Sequence, residues 1–256
     1  MRRLILVLLL LPLLLGQSYN VPFNPPAAAG PDPCAGLFQA SDDFNRADGP
    51  GLGANWNAAS GNWAIDAGST YAWLDGVTGA AIWATATDSI SQWACVQKTL
   101  EPNGYSGPKF RVSATDDSGN SYVVRWNQQT AAVFRECVGT SCNDVNTSSA
   151  AVTITNGDWL CADVRYAGAD TEAAVWDMGS SAPGARSTWG DADACWCQSG
   201  TCAHPDCTTA AKVSGEPGAG NYADCGTPSS CYVGLYSGAA LDSGYDNFSA
   251  GVDGCD

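Results

Sequence analysis

Short strand signals recur along this chain, and no pattern of helical period competes with them. Runs rich in β-branched and aromatic residues fall at 63–66, 69–74, 80–87, 92–100, 109–115, 121–126, 131–137, 151–155, 160–166, 171–177 and 231–236, with Gly, Asn, Asp and Ser between them. No amphipathic helix of ordinary length and no internal repeat is evident. Strands this short and this frequent predict an all-β sandwich or barrel. The clearest hairpin turns are 116–120 and 127–130, because Gly, Asn and Asp tolerate the backbone angles a tight turn needs. With 45% hydrophobic residues the chain can build a true interior.

Two segments bracket the strand-rich region. Near the start stands Ser41-Asp42-Asp43-Phe44-Asn45-Arg46-Ala47-Asp48-Gly49, followed by Trp56 and Trp63; near the end stand Cys231-Tyr232-Val233-Gly234-Leu235-Tyr236-Ser237-Gly238 and Tyr245-Asp246-Asn247-Phe248-Ser249-Ala250-Gly251. This opening and closing resemble the laminin-G/concanavalin-A-like superfamily of secreted lectins and glucanases, over about residues 41 to 251. Segments 157–160, 175–177 and 187–190 fall where such domains place two further strands and a loop. The resemblance implies an antiparallel jelly-roll β-sandwich whose first and last strands are neighbours. It says little about function, because sites are grafted onto shared folds.

Met1-Arg2-Arg3, the apolar run 4–15 and Gly16-Gln17-Ser18 read as a secretory signal over 1–18. Cleavage is expected after Ser18, with Gly16 as the alternative, and the run is too short to span a bilayer comfortably. Residues 19–33, with Pro22, Pro25, Pro26 and Pro31, read as an extended tether, and 34–256 as one domain. The expected location is extracellular, with no membrane insertion after signal cleavage. The full chain carries 11 Lys and Arg against 26 Asp and Glu. Loss of Arg2 and Arg3 deepens that imbalance, which makes nucleic acid a poor partner and suits a soluble extracellular protein.

Twelve cysteines in an exported chain argue for disulfides. Cys137 and Cys142 flank a short turn, so a bridge there meets the required Cα spacing. Cys95 and Cys161 each lie inside an expected strand, and an inter-strand bridge is their simplest use. The resemblance, which makes the terminal strands neighbours, implies a Cys34 to Cys255 staple. The remaining six, Cys195, Cys197, Cys202, Cys207, Cys225 and Cys231, fall in a Gly-, Ala- and Pro-rich insertion, 195–231, with His204, the one histidine of the chain. Zinc is one use of such ligands. Three local disulfides are the preferred use, since the spacing lacks paired C-x-x-C and exported thiols oxidise.

Glycosidase chemistry needs two suitably placed carboxyl groups. The chain has four glutamates, Glu101, Glu136, Glu172 and Glu216, and no E-x-D-x-x-E strand motif of the jelly-roll glucanases. Asp pairs could do the same work. His204, in the cysteine-rich segment, is poorly placed as a base for a Ser or Cys nucleophile. The expectation is therefore no enzyme and no catalytic residue.

Aromatic residues carry more. Trp56, Trp63, Trp93 and Trp159 are assigned to packing. Trp73, Trp83, Trp126 and Trp196 are the candidates for carbohydrate stacking, although alternation alone does not say which face is the core. The resemblance also implies one structural calcium ion, with Asp43 and Asp246 as its ligands where the terminal strands meet; turn capping is the plainer use of the same residues. Asn146 and Asn247 both match the N-glycosylation pattern, and Asn146, in a polar loop, is the expected acceptor.

Together these features predict a secreted, non-enzymatic carbohydrate-binding or adhesion module whose partner is a glycan or cell-surface polysaccharide. The alternative is a self-associating structural subunit of an extracellular fibre, appendage or surface layer, with a glycoside hydrolase ranked after both.

Overall fold

In a half-exposed sheet, every second residue of a strand faces solvent. The strand at Trp159–Ala167 departs from that rule: Leu160, Ala162 and Val164 are buried, and so are Cys161 and Asp163 between them. The sheet is therefore covered on both faces at this strand, which puts a charged residue, Asp163, in a dry setting on its outer side. The computed structural model describes residues 38–47, 49–66, 71–74, 78–87, 89–98, 105–116, 118–127, 131–144, 150–167, 170–197, 202–208, 231–238 and 243–252. The chain divides into Met1–Asp32 and Pro33–Asp256, and all described residues belong to the second unit. The expected signal and tether, Cys34, Cys225, Cys255 and Asn146 lie outside the described residues.

In chain order the first eight strands are β1 (Gln39–Asp42), β2 (Gly49–Pro50), β3 (Trp56–Ser60), β4 (Trp63–Asp66), β5 (Tyr71–Leu74), β6 (Gly79–Trp83), β7 (Gln92–Lys98) and β8 (Tyr105–Val112). The others are β9 (Ser121–Asn127), β10 (Ala131–Val138), β11 (Ser141–Asp144), β12 (Trp159–Ala167), β13 (Asp170–Asp177), β14 (Ala194–Cys197), β15 (Tyr232–Gly238) and β16 (Ser243–Val252). Sheet A runs β14-β13-β12-β7-β16-β5-β4-β2, with β1 also paired to β16; sheet B runs β11-β10-β9-β8-β15-β6-β3. The strand pairings are antiparallel. The all-β expectation holds.

One core joins the two sheets. Trp56 and Trp83 of sheet B meet Phe248 of sheet A with ring centroids 4.9 and 6.0 Å apart, and Phe134 of sheet B lies 6.0 Å from Trp196 of sheet A. Tyr245 adds a polar tie. Its buried hydroxyl accepts from the Gly107 N–H at 2.8 Å and donates to the Tyr236 carbonyl at 2.5 Å, both on sheet B. Tyr245→Phe is expected to cost about 1–3 kcal/mol, since it strands the Gly107 N–H in a dry interior; urea unfolding measures it, and an unchanged midpoint would refute the tie.

The first and last strands are neighbours, with Gln39 opposite Gly251 and Asp42 opposite Phe248. Asp42 shows why the opening segment reads as it does. Its carboxylate accepts from Phe44 N at 2.8 Å, Arg46 Nη2 at 2.6 Å and Trp56 Nε1 at 2.7 Å. One acid thus turns the chain after β1, holds Phe44 at φ 48° with its ring buried, and anchors β3.

Several expectations are corrected. Residues 151–155 form no strand; Val152 and Ile154 are buried in the core, but the backbone pairs only through an isolated bridge from Ala150 to Ala132. Apolar alternation there records burial without a partner strand. Trp93 does pack as expected, though half-buried and on the outer side of sheet A, where it meets Trp189 edge-on at 5.6 Å. Strands β1, β11 and β14 carried too little β-branched content to stand out.

Candidate functional site

Burial decides first among the four candidate stacking tryptophans. Trp83, Trp126 and Trp196 are core residues, at 8, 0 and 1% exposure, and offer no ring to a ligand. The expectation for these three is corrected: each lies on the face of its strand that meets the opposite sheet, a choice that alternation leaves open. Trp73 is half-buried on β5. Its cross-strand neighbours are Ala64 on β4 and Gly244 on β16, two small residues that leave the indole uncrowded on that face.

A polar groove of about 430 Å³ lies where β1 and β16 meet, lined by Ser41, Asp42, Asp43, Arg46, Asn55, Trp159, Asn247, Phe248 and Ser249. Asp42 is committed to Phe44, Arg46 and Trp56, so it shapes the wall. Asn247 donates to Gln97 Oε1 at 2.7 Å, which holds its amide in one orientation and confirms its place within the closing strand. Asp43 is exposed, and its carboxylate accepts from Asn45 N at 3.1 Å.

Asp246 directly precedes the groove residue Asn247 on β16. The register of β16 against β7 shifts between Tyr245 and Asn247, which makes Asp246 the bulged residue. Bulges re-aim side chains in this way. Burial raises the Asp246 pKa, and the nearby Asp43 charge raises it further. Structure thus brings together the two acids expected at the terminal strands. Among the described residues neither makes an ion pair, and no group of three or more metal-ligating side chains occurs.

The other carboxyl candidates separate by surroundings. Glu172 is buried, bonded to Arg165 Nε at 3.1 Å and to Ala203 N at 2.6 Å, a structural clamp. Glu136 is pushed up to about 7 by burial alone, with no second carboxylate acting on it. Glu101 and Glu216 lie outside the described residues.

Within the cysteine-rich segment, residues 202–207 pack on the outer side of sheet A. Cys195 pairs with Cys207 and Cys197 with Cys202, in place of a zinc site. Cys231 is also disulfide-bonded. The expected Cys95–Cys161 and Cys137–Cys142 bridges are present. His204, 3% exposed, lies with Nε2 3.3 Å from Asp163 Oδ2, while its Nδ1 accepts from Asp206 N at 3.2 Å. Arg186 bonds the same Asp163 oxygen at 2.6 Å and Asp206 at 2.8 Å, with its guanidinium 4.5 Å from Trp176 and 4.8 Å from Trp189. Sequence reasoning missed this cluster, since its members are scattered from 163 to 206.

No family model matches the chain, and no curated protein matches it. Solved structures do resemble it. A xylan β-1,4-xylosidase from Bacillus halodurans aligns at 11% identity and a TM-score of 0.44, covering 82% of this chain and 38% of that one. A GH43 protein from Bacillus licheniformis aligns at 14% identity and 0.44, covering 83% and 39%. An uncharacterized protein from Mycobacterium paratuberculosis aligns at 11% and 0.42, covering 82% of this chain and 99% of that one. The chain spans about two fifths of the length of the two Bacillus proteins.

The expectation of a non-enzymatic module, with its structural-subunit alternative, is corrected by these neighbours, two of which are a xylosidase and a GH43 protein. The disulfides are those of an oxidising compartment. Among the described residues no helix is long and apolar enough to cross a membrane.

Proposed function

We propose that the chain is an exported, carbohydrate-active protein on a concanavalin-A-like jelly roll, and that it takes a glycan in the groove between β1 and β16. The observation that carries this reading is the lining itself. Ser41, Asp43, Asn55, Asn247 and Ser249 converge there beside Trp159, which supplies hydroxyl, amide and carboxylate partners for sugar hydroxyls around an apolar edge. Trp73, with its small neighbours on the same sheet, extends the surface. Calorimetry against a panel of soluble oligosaccharides is expected to find a ligand whose affinity falls at least about tenfold in Asn55→Ala, a loss of one net hydrogen bond's worth of free energy. If no oligosaccharide binds, the reading fails.

Asp43 and Asp246 fit one calcium ion as far as donor chemistry goes, being hard oxygen ligands that lack a protein cation. A bound divalent charge would offset the burial and the Asp43 repulsion that raise the Asp246 pKa. Calcium is then expected to raise the melting temperature of the wild type and to leave Asp246→Asn unmoved.

A second reading, glycoside cleavage, is favoured by the bulge that sets Asp246 near Asp43, with the Asp246 pKa raised. Two carboxyl groups at one site, one of them raised by burial, are the arrangement of an acid and a base or nucleophile. Asp246 would protonate the glycosidic oxygen as its bond to the anomeric carbon breaks, with Asp43 activating water or attacking that carbon. Release of reducing ends from xylan or β-glucan, lost in Asp246→Asn while binding persists, supports cleavage; a calcium response at the pair with no release from any polysaccharide refutes it.

A further inference from the structure

The chain is strongly acidic, with 26 Asp and Glu against 11 Lys and Arg, yet one face of sheet B gathers positive charge. Lys109 on β8 is paired with Val123 on β9, and Val123 with Arg135 on β10, so these three side chains share the face turned away from the core. Arg125, two residues along β9, lies on it too. Its guanidinium sits 4.5 Å from the Tyr105 ring, and Arg135 Nη1 donates to the Tyr236 hydroxyl at 3.3 Å.

Charge balance distinguishes this face from the other ion pairs. Arg165 and Arg186 meet the buried carboxylates Glu172 and Asp163. Arg125 and Arg135 instead share a single oxygen of Asp144, at 3.2 and 2.6 Å. Their side chains are 11% and 14% exposed, whereas Asp144 is 43% exposed. Two nearly desolvated cations are thus set against one solvated anion. Burial lowers the Arg125 pKa, and the Arg135 charge lowers it further. Arg125 Nε is buried and makes no hydrogen bond. Arg135 Nη2 also donates to the Cys142 carbonyl at 2.6 Å; a guanidinium cannot shed its proton in a protein, so the charge that Asp144 leaves unbalanced calls for a further anion.

We propose that this face is an anion site that takes the carboxylate of an acidic sugar residue, with Arg125 and Arg135 holding the carboxylate and the half-buried Tyr105 beside the ring. The guanidinium fork matches a carboxylate in two parallel hydrogen bonds, and tyrosines offer an apolar face with a polar tip. The site is separate from the β1/β16 groove and stands or falls without it.

The test is calorimetry of the mature chain with three probes: an oligogalacturonate, a neutral oligosaccharide of the same length and inorganic sulfate. The oligogalacturonate is expected to bind at least about tenfold more tightly than the neutral probe, with an advantage that shrinks as salt is raised. Arg125→Met with Arg135→Met is expected to abolish that advantage. Asp144→Asn removes the internal competitor and is expected to tighten oligogalacturonate binding several-fold, a gain that a variant impaired only in folding would not show. Equal affinity for the charged and neutral probes in the wild type overturns the proposal, as does Asp144→Asn that melts lower and binds no better. Sulfate that binds as tightly as the oligogalacturonate reassigns the site to simple oxyanions and overturns the sugar assignment. Asn55→Ala, in the groove, whose lining shares no residue with this face, is expected to leave the oligogalacturonate advantage intact, so failure at one surface is distinguishable from failure at the other.

Discussion

Asp163→Asn is expected to destabilise the protein by about 3–5 kcal/mol, the range found when one member of a buried ion pair is removed and the other is left uncompensated. Asp163 is fully buried on the outer side of β12, and one of its oxygens receives both Arg186 and His204. The substitution keeps the shape and removes the charge. Arg186 would then remain between Trp176 and Trp189 with the half-buried Asp206 beside it, short of the buried charge it was set against. Urea unfolding followed by tryptophan fluorescence reads both the stability and the environment of those two rings. A loss below about 1 kcal/mol would show that the cluster is no better than a surface pair.

The same group sets an acid limit. Burial by itself would raise the Asp163 pKa, but His204 and Arg186 together outweigh it and hold the carboxyl below its ordinary value. A depressed folded-state pKa means that the unfolded chain takes up the proton first. The stabilisation is therefore fully present above the ordinary carboxylate range and is lost as pH falls through the lower folded value. Asp163→Asn should accordingly flatten the acid limb of the stability profile, with little change of slope above that range.

The second large effect concerns the Cys95–Cys161 bridge. It joins β7 to β12 on the outer side of sheet A and packs with Trp159, Trp176, Trp189 and Cys195. The two cysteines are 66 residues apart, and the chain-entropy model gives a loop of that size about 4 kcal/mol. Cys95→Ala with Cys161→Ala is expected to lower stability by up to that amount. The fold should survive, because the core between the sheets contains neither residue. Calorimetric melting with far-ultraviolet circular dichroism separates the two: a variant with lost strand content would show that sheet A depends on its staple.

Much of the fold was written locally. Alternation over 121–126, 131–137 and 171–177 located β9, β10 and β13, because a strand with a buried face repeats every two residues whatever it pairs with. The turn at 116–120 follows from short polar side chains that bond their own backbone, as Asp116 does with Ser118 N at 3.1 Å. Two disulfides were legible for the same reason: Cys137 and Cys142 are near in sequence, and Cys95 and Cys161 fall mid-strand.

Faces and distant pairings were not legible. Trp83, Trp126 and Trp196 satisfy the same alternation as Trp73, and only the packing of sheet B on sheet A buries three of them and leaves one half-open. The meeting of Asp43 with Asp246 was available through resemblance alone. The sharing of Asp144 by Arg125 and Arg135, and of Asp163 by Arg186 and His204, was available by no route from the sequence. The sequence by itself determined that the chain would be all-β, where most strands and turns would fall, and that its cysteines would pair. Tertiary structure decided which side of each strand meets solvent and which charges meet, since a period of two names two faces without ranking them and Coulomb interactions depend on separation in space.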